Sequence, residues 1–375
     1  MLKQLFLFVS TCLIITLTSC ANQDEPTISG EAPMLTLRLE TSAAQSNMRS
    51  TLVSSDNVQR VRYVQLYIFR GTTTDAPCVV SRNVDWSQPI GSTAEQTYAL
   101  PLSAFSPDGT TTYTFLAVGL DDNPTSTTEG AAYAYALPDA ITLGTTLGEA
   151  KAQLAASRTQ SDLAHAELFA GTTTQIVNPS RDNAVTIDLY RRVVGVQVYV
   201  TDVPSGVTDL QLVLHTDQHS DVPLVKQSDA ADGTFLDHGA ESLAASTCLL
   251  DMPVTTESLK GATVAGTSLV KQEGSVLAAC YMLPLEAPTA TDGRTLQLKA
   301  YKGTALYKTW GVALGTAKAR SYQYPLRANC FYTIGALNAQ ENEPISLGEA
   351  ESDIVIEVEP NFEKDHDYML RAKRM

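Results

Sequence analysis

Apolar side chains recur at every second position in run after run of this chain, and a period of two fits a β-strand with one buried face and little else. Val194, Val196, Val198 and Val200 share one face of such a run, opposite Gly195, Gln197, Tyr199 and Thr201. The same alternation sets Val64, Leu66 and Ile68 against Tyr63, Gln65 and Tyr67, and Leu296, Leu298 and Ala300 against Gln297, Lys299 and Tyr301. Each pattern predicts a dry inner face and a wet outer one, as in antiparallel sheets packed on one side. Further strands are predicted over 113–118, 185–189, 210–214, 276–283 and 330–334, separated by clusters of Gly, Pro, Asp, Asn, Ser and Thr. Many short strands with such punctuation describe antiparallel β-sandwiches.

One segment departs from the period of two. Over 146–156, Leu147, Ala150 and Leu154 fall at helical spacing among good helix formers, and Thr146 with Glu149 has the form of a capping box. The predicted class is therefore all-β with one short helix. The runs 185–190 and 193–202 follow one another with no turn residue in Tyr190-Arg191-Arg192. A hairpin needs turn chemistry, so the chain is expected to pass almost straight from one domain into the next. This places an N-terminal sandwich at 34–190 and a C-terminal sandwich at 191–375, lengths suited to one domain each.

The composition narrows function mostly by exclusion. A formal net charge of -15 speaks against nucleic acid, because neutralising phosphates takes clustered Lys and Arg. No Gly-x-Ser-x-Gly elbow and no glycine-rich phosphate loop occurs. His215, Asp217 and His219, with Asp221 nearby, would face one side of an extended segment and could collect a divalent ion, but an exposed polar turn before Val222-Pro223 is the expected reading. No metal, cofactor or catalytic residue is assigned on this basis, and a non-enzymatic role is expected. Trp86 and Trp310 are able either to stack on sugar or to fill a core. Cys78, Cys248, Cys280 and Cys330 lack zinc-like spacing. A bridge from Cys248 to Cys280 or Cys330 and buried free thiols are both left open.

The N-terminus carries an address. Lys3 precedes an apolar run from Leu5 to Leu17, a signal-peptide layout too short for a membrane span of roughly 20 residues. The run ends in Leu17-Thr18-Ser19-Cys20, which resembles the bacterial lipobox. That resemblance implies removal of residues 1–19 and diacylation of Cys20, anchoring the chain in the outer membrane, since paired acyl chains hold where one does not. Residues 20–33 then form a lipidated polar tether. Within it Asp24 and Glu25 resemble the acidic surface-export signal of Bacteroidota lipoproteins, which implies display at the cell surface.

In order and spacing the elements resemble the fimbrillin and fimbrial-anchor lipoprotein superfamily of Bacteroidales. The likeness is carried by the lipobox cysteine, Met34-Leu-Thr-Leu-Arg-Leu-Glu40, a polar stretch with Arg49, and Val61-Arg-Tyr-Val-Gln-Leu-Tyr-Ile-Phe69. It continues through 110–119, 146–151, 185–200 with Leu189-Tyr-Arg-Arg192, and Leu326-Arg-Ala-Asn-Cys-Phe-Tyr-Thr-Ile334. The resemblance implies two tandem transthyretin-like sandwich domains in a fimbrial subunit or anchor that works as a structural and adhesive component. Its expected partners are other fimbrial subunits, the outer membrane through the lipid on Cys20, and host or bacterial surface ligands, with no nucleic acid. Assembly in such proteins proceeds by β-strand donation into a sheet groove. Carried onto this sequence, Leu35, Leu37 and Leu39 would plug the groove and Arg49 would be the processing site. Ile354, Ile356 and Val358 would form the C-terminal donor strand, although Pro360 and the basic Arg371-Ala-Lys-Arg374 depart from the family pattern. The alternative reading is a glycan-binding surface lipoprotein of a polysaccharide-uptake system.

Overall fold

A computed structural model describes residues 35–41, 63–85, 94–97, 102–120, 134–135, 141–153, 159–164, 166–214, 221–225, 247–264, 268–288, 293–316, 319–328, 330–337, 341–348, 353–358 and 368–372. The alternating runs become strands, gathered mainly into a seven-stranded and an eleven-stranded sheet. The first sheet runs Cys78–Asp85, Tyr63–Arg70, Thr112–Leu120, Leu168–Ile176, Asn183–Arg191, Leu35–Thr41 and Ala94–Thr97. Leu35, Leu37 and Leu39 at one end and Val64, Leu66, Ile68 and Val84 at the other contribute to one core. The sheet therefore folds over on itself as the two layers of a sandwich, with its inward side chains between them.

The second sheet places Cys248–Pro253, Asp209–Leu214, Leu296–Lys302, Ala305–Thr316, Asp353–Val358, Tyr368–Ala372, Cys330–Ile334, Val194–Thr201 and Val276–Met282 in that order. Its inner faces enclose Val194, Val196, Val198, Leu210, Leu298 and Trp310 among others. The last strand of the first sheet ends at Arg191 and the first strand of the second begins at Val194. Between them Arg192 is buried, its Nε and Nη2 donating to the Pro223 carbonyl at 3.0 and 2.8 Å. Burial holds that guanidinium well below the usual arginine range. A third core draws on both sheets, joining Tyr67, Leu116 and Leu168 to Val193, Tyr281 and Leu283. Within it the Tyr281 hydroxyl donates to Glu167 at 2.5 Å.

Three expectations need correction. The face opposite Val194, Val196 and Val198 is not wet, because Gln197 and Tyr199 are buried as well, and so are Gln65 and Tyr67 opposite Val64 and Leu66. The Tyr199 hydroxyl donates to Asn342 and accepts from the Gln272 amide, while the Gln65 amide finds the Asn83 side chain. These polar tips find tertiary partners, so an amphipathic face becomes a second packed one. The sheets are also not purely antiparallel: Leu35–Thr41 runs parallel to Asn183–Arg191, and Asp353–Val358 parallel to Ala305–Thr316.

The helix expected at 146–156 is one 3-10 turn, Leu147–Glu149. Its Thr146–Glu149 contact forms, with the Thr146 amide and hydroxyl donating to the Glu149 carboxylate at 3.2 and 2.8 Å. The chain then extends, because Lys151–Gln153 pairs with Asp221–Pro223. Tertiary pairing overrides a propensity worth only tenths of a kcal/mol per residue, roughly 0 to 0.7 for ordinary side chains. Among the described residues the short α-helix is instead Gln160–Leu163, capped by Asp162 accepting from the Thr159 amide at 2.7 Å. Thr159 and Asp162 stand at the spacing of a cap, a signal the sequence did offer.

Candidate functional site: an inserted leucine strand

The strand Leu35–Thr41 carries the three alternating leucines. Leu35, Leu37 and Leu39 have no solvent exposure, whereas Thr36 and Arg38 on the outer face are half-buried. The strand lies between two others. On one side it runs parallel to Asn183–Arg191, from Leu35 beside Asn183 to Thr41 beside Leu189; on the other it is antiparallel to Ala94–Thr97. Neither neighbour is close in sequence. The next strand along the chain, Tyr63–Arg70, is separated from it in the sheet by three others. Among the described residues no hairpin holds the segment, and its place depends on sheet pairing and on its leucines.

The slot has a dry floor and one dry wall. Val185, Ile187 and Leu189 of the acceptor strand are buried while Ala184, Thr186 and Asp188 are exposed, which matches the alternation of the inserted strand. Phe105, packed edge-on to Tyr113 at 5.0 Å between centroids, and Phe115 lie in the same core. Two local devices position the acceptor strand. The Asn183 side chain accepts from the Asn178 amide at 3.0 Å and donates to the Asn178 and Arg181 carbonyls at 2.9 and 2.8 Å, fixing the turn from which the strand starts. Gly171 lets that strand approach, because a Cβ there would lie 1.9 Å from the Asp188 carbonyl oxygen. Sequence reasoning missed both; an Asn five residues after another and a glycine inside a strand were the available signals.

Burial of the three leucines contributes roughly 5 to 9 kcal/mol at about 1.5 to 3 each. Ordering seven residues costs on the order of 7 to 14 kcal/mol in backbone entropy. Net hydrogen-bond gains of about 1 kcal/mol apiece add to the apolar term. Arg49 lies in 42–62, between this strand and Tyr63–Arg70, and it and Cys20 fall outside the described residues.

At the other end of the chain, Ile354 and Ile356 are 2% and 0% exposed in the core of the second sheet. Their strand, Asp353–Val358, pairs with Ala305–Thr316 of the same chain. Val358 belongs to that strand, with its side chain outside the described set. The structure thus keeps the two sets of alternating apolar residues in two separate sheets.

Of the remaining candidates, several lie outside the described residues. His215, Asp217 and His219 lie outside the described residues, and Asp221 is buried with its carboxylate paired to Lys151. Among the described residues no cluster of three metal-ligating side chains occurs. Trp310 is fully buried and closed to a sugar, and Trp86 is outside the described residues. Cys78, Cys248 and Cys280 are free thiols. Burial pushes Cys78 up to about 11 and Cys280 up to about 12.

None of the curated proteins compared matches the chain in sequence. Among solved structures, the fimbrial anchor protein Mfa2 from Porphyromonas gingivalis is 13% identical with a TM-score of 0.38, over 90% of this chain and 95% of that one. The tip fimbrial protein Mfa3 from Porphyromonas gingivalis is 9% identical with a TM-score of 0.38, over 91% and 98%. A fimbrial assembly protein from Parabacteroides distasonis is 11% identical with a TM-score of 0.37, over 88% and 92%. The family model of the fimbrillin-A associated anchor proteins Mfa1 and Mfa2 matches residues 29–220, more than half of the 375 residues and the whole of the leucine strand and its acceptor, and the chain belongs to that family.

Proposed function

We propose that the chain is a structural and adhesive fimbrial subunit or anchor, tethered to the outer membrane by lipid on Cys20 and displayed at the cell surface. It assembles with other fimbrial subunits by β-strand donation. The observation that carries this reading is the strand of three fully buried leucines, paired among the described residues with partners remote in sequence. A strand so placed leaves a groove of matching width and period when removed. Cleavage at Arg49 would free residues 34–49 from the body, and a strand with alternating apolar residues from a neighbour would take the slot, joining subunits through main-chain hydrogen bonds. Ile354, Ile356 and Val358 supply such a pattern and serve as the candidate donor. The two sandwiches, 34–190 and 191–375, act as one spacer, consistent with the core that both sheets share.

The test is limited digestion of the mature chain with an arginine-specific protease. One cut within 42–62 should leave the N-terminal fragment bound in native buffer, and a peptide of alternating apolar residues should displace it and convert monomers to a detergent-resistant ladder. If the fragment falls away at once, or the cut chain stays monomeric when offered its neighbours, strand donation is wrong. A sugar array on the same sample separates this reading from glycan binding, and antibody labelling of intact cells tests surface display.

A further inference from the structure

The end of the second sheet remote from the first carries a projecting apolar tip. Val194–Thr201 runs away from the buried Arg192, and the chain turns at 202–208 into Asp209–Leu214. Asp209 is the register partner of Tyr301, so the turn from Lys302 to Ala305 lies at that remote end. Gly303 sits in this turn at φ 60°, and an added Cβ there would meet nothing within 4 Å. The turn therefore stands clear of the body.

Beside it the register between Leu296–Lys302 and Ala305–Thr316 shifts, with Tyr301 opposite Leu306 and Ala300 opposite Lys308. Tyr307 is the extra residue. Such a bulge re-aims side chains that strict alternation would send to opposite faces, and the consecutive Leu306 and Tyr307 are 57% and 48% exposed. The Lys302 ammonium stands 4.0 Å from the centre of the Tyr307 ring. Half-buried Lys308 reaches over the buried Trp310 at 4.8 Å.

The local charge is opposite in sign to that of the whole chain. From Gly293 to Gln340 there is no Asp or Glu, while Arg294, Lys299, Lys302, Lys308, Arg320 and Arg327 supply cations, in a chain of formal net charge -15. The acids that other segments bring to this end have partners of their own. Asp209 and Asp251 both accept from the Gln211 amide at 3.3 and 3.1 Å, Glu257 holds Lys260 at 2.6 Å, and Glu273 accepts from the Gly261 amide at 2.8 Å. Asp202 packs beside Gly348.

We infer that this tip is a docking surface for an anionic lipid bilayer. Leucine and tyrosine side by side suit the boundary between headgroups and acyl chains, where an aliphatic side chain and an amphipathic ring each find their solvent. Lysine stems lie along apolar surface while their ammonium groups reach the phosphate layer. Charge selects the occupant, because an anionic surface repels an acidic chain as a whole and its field turns the basic end toward it. A convex tip encloses no small anion, whereas a bilayer yields around it. The inference names a partner for the adhesive role proposed above and uses neither the lipid on Cys20 nor strand donation.

The test takes the full mature chain, uncut and carrying Cys20→Ser, so that no acyl chain of its own contributes. Sedimentation with vesicles of phosphatidylcholine mixed with phosphatidylglycerol should carry down several-fold more protein than vesicles of phosphatidylcholine alone. Leu306→Ser combined with Tyr307→Ser should lower the bound fraction several-fold. Lys302→Glu should weaken binding by more than the roughly fivefold expected of one lysine near an anionic surface, since it reverses the charge. These side chains are exposed, so both variants should melt with the parent. Leu143→Ser, 68% exposed on the turn that pairs with Cys78 in the first sheet, is the control and should bind as the parent does. Parent-like binding by the paired serine variant, equal binding to both kinds of vesicle, or no binding at all overturns the inference. Displacement by soluble glycerol phosphate overturns it too, because it would mark a site for a free anion. Failure here leaves the arginine digestion untouched, and failure of the digestion leaves the vesicle result standing.

Discussion

Replacing Leu37 by alanine tests the leucine slot most directly. Leu37 is the middle of three fully buried leucines and stands beside Val185 on one side and Gln96 on the other. Truncating a buried leucine costs about 2 to 5 kcal/mol, the upper end applying where the cavity cannot collapse. Walls built from aromatic rings and paired strands give little, so the upper half of that range is expected. In the uncut chain the change should lower the urea midpoint. After cleavage within 42–62 the same loss acts on retention of the strand alone. At 1.4 kcal/mol per tenfold, a loss of about 3.5 to 5 kcal/mol weakens it roughly 300-fold to several-thousand-fold. The assay is a pull-down through an N-terminal tag on the cut protein, following the fraction of the body retained with time. Thr36→Ala, on the half-buried outer face, is the control and should stay within about 0.5 kcal/mol of the parent. Equal retention of Leu37→Ala and the parent, or equal losses in both variants, would refute the reasoning that apolar burial holds the strand.

Gly171→Ala should cost more than the roughly 1 to 3 kcal/mol of ordinary overpacking, because its Cβ would meet the Asp188 backbone rather than a side chain that can swing away; a midpoint like the parent's in urea would count against the close approach. Burial first, and then the Asp251 carboxyl beside it, raises the Asp209 carboxyl above its usual range. The folded state therefore binds that proton more tightly than the unfolded one. The contribution is fully present below the ordinary carboxylate pKa and is lost as pH rises through the raised folded value. Asp209→Asn should accordingly melt higher than the parent at neutral pH and lose that advantage in acid, and a difference in melting temperature that ignores pH would contradict the assignment. Of Cys78, Cys248 and Cys280, only Cys248 is exposed, and Cys280 is pushed up to about 12. Alkylation followed by peptide mapping should label Cys248 first and reach Cys78 and Cys280 only on unfolding; early labelling of Cys280 would show that the second core opens.

The period of two made the strands legible, including the whole run from Val194 to Thr201, because burial of one face imposes it residue by residue. What covers the opposite face was not legible. Tyr199 and Gln65 are polar enough to read as solvent-facing, and only the folded chain brings Asn342 and Asn83 to meet them. The leucine strand was recognisable from Leu35, Leu37 and Leu39, but its parallel partner was not, since pairing between residues so far apart leaves no trace in either segment alone. Gly195 illustrates the same limit. A glycine amid four valines looks like a weak point in a strand, yet it is the space taken by Phe331, whose ring would lie 2.1 Å from an added Cβ. At 146–156 local propensity was read correctly and then outvoted by pairing with Asp221–Pro223.

The distance in sequence between Leu35–Thr41 and Asn183–Arg191 also governs when the first sheet can be completed. A chain made from its N-terminus presents the leucine segment early, and the edge that shelters it arrives only after most of the same sheet. Contacts this non-local are slow to form, and in the interval both the sticky segment and its vacant berth face the surroundings. Folding is thus a race between the chain's own leucines and any other suitable segment nearby.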